Sequence, residues 1–367
     1  MLGVVTVVMT LLGWSSVPLF VAYLSKYVDV WTQNGWRYAF SAAVWAPVLI
    51  IAHRRGVLPR GLWRASVVPA IANALGQGAF TWSFYNVDTA TATFGLRMQI
   101  VFLAVGAYLL FPSERALLRN PRAWIGIGLV IVGIFGTIIL RDRAQGVVGA
   151  VGGTGRSTLG VLAAIASGML FASYGLSVRK YMHGFHPVTA FAAISQITAA
   201  ISVFVMLALA RNPVTGVADF GLSGLQLGWF QQVMMYGSAI IGIALGHVFY
   251  YISIARLGVA VTSGVIQLQP FCVAIANAAI SGVMLTRGQW LFGAVAVAGA
   301  SLLLWVQWTL SRAPARARRL EAEFVAGDER IGVEAAEMDA MPVDLNGQVA
   351  SVSRRDAAAD GTKERQA

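Results

Sequence analysis

Two short stretches of this chain carry polar side chains inside long apolar runs. The first, Thr93 to Phe102, reads TFGLRMQIVF; the second, Ser263 to Cys272, reads SGVIQLQPFC. Arg97 and Gln99 of the first stand where Gln267 and Gln269 stand in the second, 170 positions later, and at the same offset Gly76-Gln77 is answered by Gly246-His247 and Phe80 by Tyr250. These residue types suit recognition rather than bond-making. The planar fork of Arg97 fits a carboxylate or phosphate. Thr93, Ser263, Asn73, Gln77 and Gln267 offer hydroxyls and amides that could orient a ligand, while Trp14, His247 and Tyr250 add rings with polar tips, a lining suited to an amphipathic organic molecule. These nine residues are the candidate substrate site.

Other chemistry finds little support. The acidic residues Asp29, Asp88, Glu114, Asp142 and Asp219 all fall at the ends of apolar runs or between them, so no paired acid and base is expected. His53, His183 and His186 sit in loops and His247 stands alone, which predicts no metal site. The run from Gly149 to Gly155 is not followed by the Lys-Ser/Thr pair of a phosphate-binding loop. No cofactor and no catalytic residue is expected. Cys272 is the single cysteine, which excludes an intrachain disulfide and reads as a small core residue. His247 is the one candidate whose reference pKa, about 6.5, lies near neutrality. With no carboxylate in the apolar runs, facilitated diffusion or exchange is expected rather than obligatory proton coupling.

The elements that must hold these residues are membrane spans. The chain is 57% hydrophobic and 12% charged with a mean hydropathy of +0.69, too apolar for a soluble globule. Apolar runs near the ~20 residues that cross a bilayer occur at 2–24, 31–52, 65–87, 89–111 and 123–140, and again at 158–181, 188–210, 226–255, 260–285 and 289–309. The expected fold is an all-α polytopic membrane protein of ten transmembrane helices. It divides into a five-helix repeat over 1–143, a Gly-rich linker over 144–157, a second five-helix repeat over 158–310, and a mostly disordered tail over 311–367. Five spans per repeat invert the second copy relative to the first.

Charge supports this layout. Of the 27 basic and 16 acidic residues, the tail holds nine and eleven, so the excess belongs to the loops of the membrane part. With the N-terminus in the cytoplasm, fourteen Lys/Arg near span ends lie inside and six outside, as the positive-inside rule requires. That explains the basic balance without nucleic acid. An integral protein of a bacterial inner membrane, both termini cytoplasmic, with a small-molecule substrate, the lipid bilayer and no nucleic acid as partners, is the expectation; a homodimer is left open.

Helix periodicity sorts the polar groups by face. Thr93, Arg97, Ile100 and Ala104 share one side, and Ser263, Gln267, Pro270 and Asn277 share its equivalent, with Gln99 and Gln269 on the other side as bonds between helices. An arginine in lipid costs about 3 kcal/mol or more. The Arg97 face is therefore expected to line a cavity, the alternative being a structural pin held by backbone carbonyls. Phe80, Phe84 and Phe171 read as packing, which is also the alternative for Trp14 and Tyr250, and Gly242, Gly246, Gly126, Gly133, Gly293 and Gly299 as points of close helix approach.

The segment PSERALLRNPRAWIGIGLVIVGI, from Pro112 to Ile134, resembles the signature that closes each half of the EamA-like permeases of the drug/metabolite transporter superfamily. LTRGQWLFGAVAVAGASLLL, from Leu285 to Leu304, is similar, with Thr286 where an acidic residue is usual. Gly13-Trp14, Arg37-Tyr38 and Leu268-Gln269-Pro270-Phe271 add to the likeness, while Ile100 replaces the expected proline in the first half. The resemblance covers roughly 1–310. It implies a ten-helix bundle that moves small organic solutes by alternating access, here expected to be an amino-acid-like or other anionic or zwitterionic metabolite and its direction export. A membrane-embedded enzyme and a structural or sensory membrane protein are the alternatives.

Overall fold

The computed structural model describes residues 2–140, 154–257, 259–282 and 284–310. Ten helical spans run through them. They are α1 (Leu2–Leu24), α2 (Val30–Arg54), α3 (Leu62–Phe84), α4 (Thr89–Leu110), α5 (Pro121–Ile139), α6 (Thr154–Tyr181), α7 (Pro187–Leu209), α8 (229–257), α9 (259–281) and α10 (Arg287–Leu310). Among the described residues there is no strand, and the one bridge, Arg211 with Ala218, lies in the loop before α8. Nine spans are long and apolar enough to cross a membrane by composition alone. The exception, α3, has 23 residues but carries Arg64, Asn73 and Gln77. The tail and most of the Gly-rich linker lie outside the described residues; α6 begins at Thr154.

The carboxylates mark boundaries, as read from the sequence. Asp29 accepts from the backbone N–H of Trp31 at 2.8 Å and of Thr32 at 3.2 Å to cap α2. Asp88 does the same for α4 through Thr91 N at 2.8 Å. A side-chain acceptor at this position satisfies one of the helix's otherwise unpaired first N–H groups. Asn120 caps α5 through Arg122 N at 3.0 Å, with Pro121 in the first turn.

The packing between halves obeys the repeat. Adding five to a helix number in the first half, and subtracting five in the second, turns the α3–α6 contact into α8–α1, α4–α6 into α9–α1, and α3–α7 into α8–α2. The α2–α7 and α4–α9 contacts map onto themselves. So does α5–α10, where a Cβ on Gly126 would come within 2.9 Å of the Gly299 carbonyl and one on Gly299 within 2.6 Å of the Gly126 carbonyl. In lipid, where apolar burial gives helices no preference for one another, such small residues permit close van der Waals packing. The fold is thus an inverted repeat of two five-helix halves.

Candidate functional site

Two helices are discontinuous, at equivalent places. The first part of α4 ends at Leu96 and the second resumes at Gln99; in α9 the corresponding ends are Ile266 and Gln269. Arg97 and Gln267 sit on the interruptions, which tighten to three-residue hydrogen bonds such as Arg97 N to Phe94 O at 2.9 Å and Leu268 N to Val265 O at 3.1 Å. Pro270 contributes the local cause in α9: it has no N–H for Ile266, the residue four positions back. In α4 no proline stands there, and α6 presses directly on the interruption instead. A Cβ at Gly168 would lie 2.8 Å from the Leu96 carbonyl and 2.9 Å from Gln99 N, so only glycine allows this approach.

Arg97 answers both interruptions. It is 8% exposed; its Nη1 donates to the Ile266 carbonyl at 3.4 Å and its Nη2 to Gln269 Oε1. Gln269 Nε2 in turn donates to the Trp14 carbonyl at 2.7 Å. That carbonyl also lacks a helical donor, because Pro18 stands four positions on in α1. Two prolines on two helices therefore each expose an acceptor, and one linked pair of side chains, Arg97 and Gln269, fills both. Among the described residues no carboxylate lies within 4.0 Å of Arg97, and its Nε has no hydrogen-bond partner.

Trp14 extends the network into α8. Its Nε1 donates to the Gly242 carbonyl at 3.0 Å, a group presented by a wide π-helical stretch over Ala239–Leu245, a distortion frequent at functional sites. Gly242 and Gly246 pack against Val17 and Trp14, which accounts for two of the glycines read as points of close approach. The Trp14 ring lies 5.4 Å from that of His247 and 5.0 Å from that of Tyr250. Tyr250 Oη is 3.4 Å from Ser263 Oγ on α9. His247 Nδ1 is 3.0 Å from the Ile243 carbonyl. A carbonyl can only accept, so Nδ1 carries a proton. The imidazole also stacks on Phe191 at 4.8 Å.

Of the nine residues singled out in the sequence, Trp14, Arg97, His247, Tyr250 and Ser263 thus form one connected set. Gln267 is buried on the interruption beside it. Thr93 is buried on α4 with Arg97, but its hydroxyl donates to the backbone of its own helix at Thr89 O, 2.7 Å away. Asn73 belongs to a second set, donating to Thr198 Oγ1 at 3.3 Å, and Gln77, one turn on, is half-buried and gives its carbonyl to Asn34 Nδ2 at 3.1 Å. Gln269 is a bond between helices, as expected, yet it bonds to the very arginine from which helix periodicity separates it. The interruption of α9 resets the rotation between positions 267 and 269. Phe80, Phe84 and Phe171 pack together with Val17 and Val21.

The second set holds what sequence reasoning missed. Arg37 on α2 is 1% exposed, donates from Nε to Ser238 Oγ at 2.9 Å, and leaves Nη1 without a partner. Ser41 Oγ and Trp45 Nε1, on the following turns of the same helix, also lack partners, as does Ser195 Oγ on α7, while the Tyr38 side chain is hydrogen-bonded to Asn73 of α3. Tyr38, Phe191 and Ile243 share one apolar cluster, which joins this set to His247. The signal was available: the cost of an arginine in lipid applies to Arg37 as it does to Arg97.

Comparison with known proteins now bears on this geometry. Residues 1–139 and 158–305 each match the model of the EamA-like transporter family. The chain belongs to that family. It is an integral membrane protein of the drug/metabolite transporter superfamily, and the two matches coincide with the two halves related in the packing. A search of the curated proteins finds no match. A crystal structure of a protein 16% identical to this chain superposes with a TM-score of 0.54, covering 84% of this chain and 98% of the other, a likeness of fold.

Proposed function

We propose that this EamA-like transporter exports a small anionic or zwitterionic organic metabolite, amino-acid-like in size, by alternating access around the paired interruptions of α4 and α9. The observation that carries the reading is Arg97: a buried cation, on a helix interruption, with no carboxylate partner among the described residues and an unpartnered Nε. Discontinuous helices at a repeat interface are where many secondary transporters bind substrate, and a planar guanidinium recognises a carboxylate or phosphate through two parallel bonds. Gln269 and the Ile266 carbonyl are neutral, so a solute anion could take over their bonds to Arg97. Gln267, Ser263, Thr93, Trp14, Tyr250 and His247 form the surrounding wall on this reading, with Asn73 and Gln77 continuing it toward α2. The unpartnered polar atoms of Arg37, Ser41 and Trp45 extend a polar lining along α2.

The proposed setting is a bacterial inner membrane with both termini in the cytoplasm. Partners on this reading are the solute and the bilayer, with no nucleic acid. The discriminating experiment combines metabolite profiling of cells and medium after deletion and overexpression with transport of the identified solute by variants in proteoliposomes. Arg97→Ala should abolish transport of an anionic solute while the protein still folds. Arg97→Lys should fall nearly as far if the bidentate fork is used, and less if charge alone acts. A folded Arg97→Ala protein with normal transport would make Arg97 a structural pin.

A further inference from the structure

The end of the bundle between α4 and α5 carries a feature that the transport site does not use. After Phe111 the chain forms a single turn at Pro112–Glu114 and a five-residue helix, Arg115–Arg119, before α5 begins at Pro121. Leu117 is buried and anchors this helix, while Arg115 and Arg119, four positions apart, share its exposed side. With Arg122 they line an open hollow of about 900 Å³, together with Pro112, Ala116, Asn120 and Pro121.

Three observations say what fits there. The hollow is strongly cationic: Glu114, the one carboxylate in the segment, is engaged by Arg179 at 2.7 Å, and among the described residues no carboxylate lies within 4.0 Å of Arg115, Arg119 or Arg122. It is also held in shape, because Asn120 Oδ1 accepts from Arg122 N at 3.0 Å and Arg122 stacks over the Trp305 ring of α10 at 5.7 Å. Finally, it borders an apolar belt. Trp124 is 57% exposed with its Nε1 donating to the Leu118 carbonyl at 2.9 Å, and Leu109 and Leu110 at the end of α4, Ile125 on α5 and Trp305 on α10 are exposed too. Tryptophan with its ring outward and its N–H tied to the polar layer is the arrangement found at the level of lipid headgroups, and basic pockets beside spans at that level bind anionic headgroups.

We propose that the Arg115, Arg119 and Arg122 hollow is a binding site for the phosphate of an anionic phospholipid, whose acyl chains lie along the Trp124 and Ile125 face. A free phosphate-bearing solute shares the headgroup chemistry but has no use for the apolar belt, so the lipid is the occupant the geometry favours. Each arginine near the surface contributes about five-fold to binding of an anionic lipid, and removing three should weaken it about a hundred-fold.

The test uses the purified full-length protein in detergent, titrated with phosphatidylglycerol, phosphatidylcholine or inorganic phosphate and followed by native mass spectrometry. Phosphatidylglycerol should bind in preference to phosphatidylcholine. The Arg115→Gln/Arg119→Gln/Arg122→Gln protein should lose that preference, while Arg54→Gln/Arg55→Gln/Arg60→Gln, which removes the same charge from another loop, should keep it. Ala116→Trp fills the hollow without changing charge and should weaken phosphatidylglycerol at least ten-fold, a reading that stands even where the triple variant does not fold. Equal losses in both triple variants would reduce the effect to diffuse charge and overturn the proposal, as would unaltered binding to Ala116→Trp. Full competition by inorganic phosphate at concentrations equal to the lipid would assign the hollow to a free anion instead.

Discussion

Replacing Gln269 by leucine removes, in one nearly isosteric change, both bonds of its side chain, to Arg97 on α4 and to the Trp14 carbonyl on α1. The loss can be built up from the structure. Nη2 of Arg97 loses an acceptor, and a hydrogen bond to a charged group is worth about 1.5–3 kcal/mol. The Trp14 carbonyl, exposed by Pro18, loses its donor at 2.7 Å; side-chain bonds between membrane helices average about 0.6 and reach about 1.7 kcal/mol. Gln269→Leu should therefore destabilise the protein by about 2–5 kcal/mol, measured by reversible unfolding in mixed micelles. The two shares can be separated. Pro18→Ala restores an N–H to α1 that reaches the Trp14 carbonyl, so in the Gln269→Leu background it should recover about 0.6–1.7 kcal/mol, whereas in the native background the acceptor is already filled and the same change should recover nearly nothing. The double-mutant cycle reads this difference directly. Equal effects of Pro18→Ala in the two backgrounds, or a cost of Gln269→Leu below about 0.5 kcal/mol, would refute the claim that the proline-exposed carbonyls are held by this network.

Further outcomes follow from other parts of the molecule. In a Cys272→Ala background, single cysteines at Val214, which is 91% exposed, and at Arg55 should label from opposite sides of the membrane; labelling from one side would break the alternation on which the inverted repeat rests. Asp219 lies in the loop before α8, where partial burial works to raise its carboxyl, but hydrogen bonds from the Ser223 side chain and from the Gly221 and Ser223 backbone together outweigh burial and hold it below the usual carboxylate value. Its contribution to loop order is fully present above the ordinary aspartate pKa of about 3.9 and lost as pH falls through the lower native value; a spin label at Val214→Cys should therefore become mobile only below that ordinary value, and at every pH in Asp219→Asn. His247→Gln places at that position the amide found in the other repeat, and downhill solute flux in proteoliposomes without a pH gradient should survive it; strict dependence on a pH gradient, abolished by the substitution, would make His247 the coupling group.

Much of the architecture was legible because lipid imposes a single rule on every span, and ten apolar runs with a 170-residue echo obey it visibly. The central pair was legible for the same reason: the cost of a charge in hydrocarbon picks out Arg97 wherever its side chain turns. What helix periodicity could not give was its partner. A wheel assumes a continuous helix, and it placed Gln269 opposite Gln267; Pro270, present in the sequence, was the sign that the wheel stops there. The matching interruption at Arg97 has no such sign, since position 100 is isoleucine. Its cause is the approach of α6 at Gly168, a tertiary contact 71 residues away in sequence. The π-helical stretch of α8 that offers the Gly242 carbonyl to Trp14 has likewise no local signature. Arg37 was legible and was passed over, because it lies outside the repeated polar stretches that drew attention to Arg97.

The way the two prolines are answered bears on how such a bundle could move. A carbonyl freed within lipid must be satisfied by the protein, at a cost of several kcal/mol if it is not. In an ordinary helix the i→i+4 bond does this locally, and the helix can tilt as a unit without consulting its neighbours. Here Trp14 on α1 and Ile266 on α9 depend instead on Gln269 and Arg97, so α1, α4 and α9 cannot separate without exposing an acceptor. An anion that engages Arg97 would compete with Gln269 Oε1 and with the Ile266 carbonyl. The released carbonyl would then require a new donor, which a rearranged helix or the solute itself must supply. Occupancy of the arginine and the contact between the two halves would thereby be linked through the same hydrogen bonds, and that linkage is what alternating access requires of a substrate: a difference in affinity between the two arrangements. Neutral side chains on the guanidinium serve this better than a carboxylate would, because a buried ion pair resists being opened by a weaker competing anion.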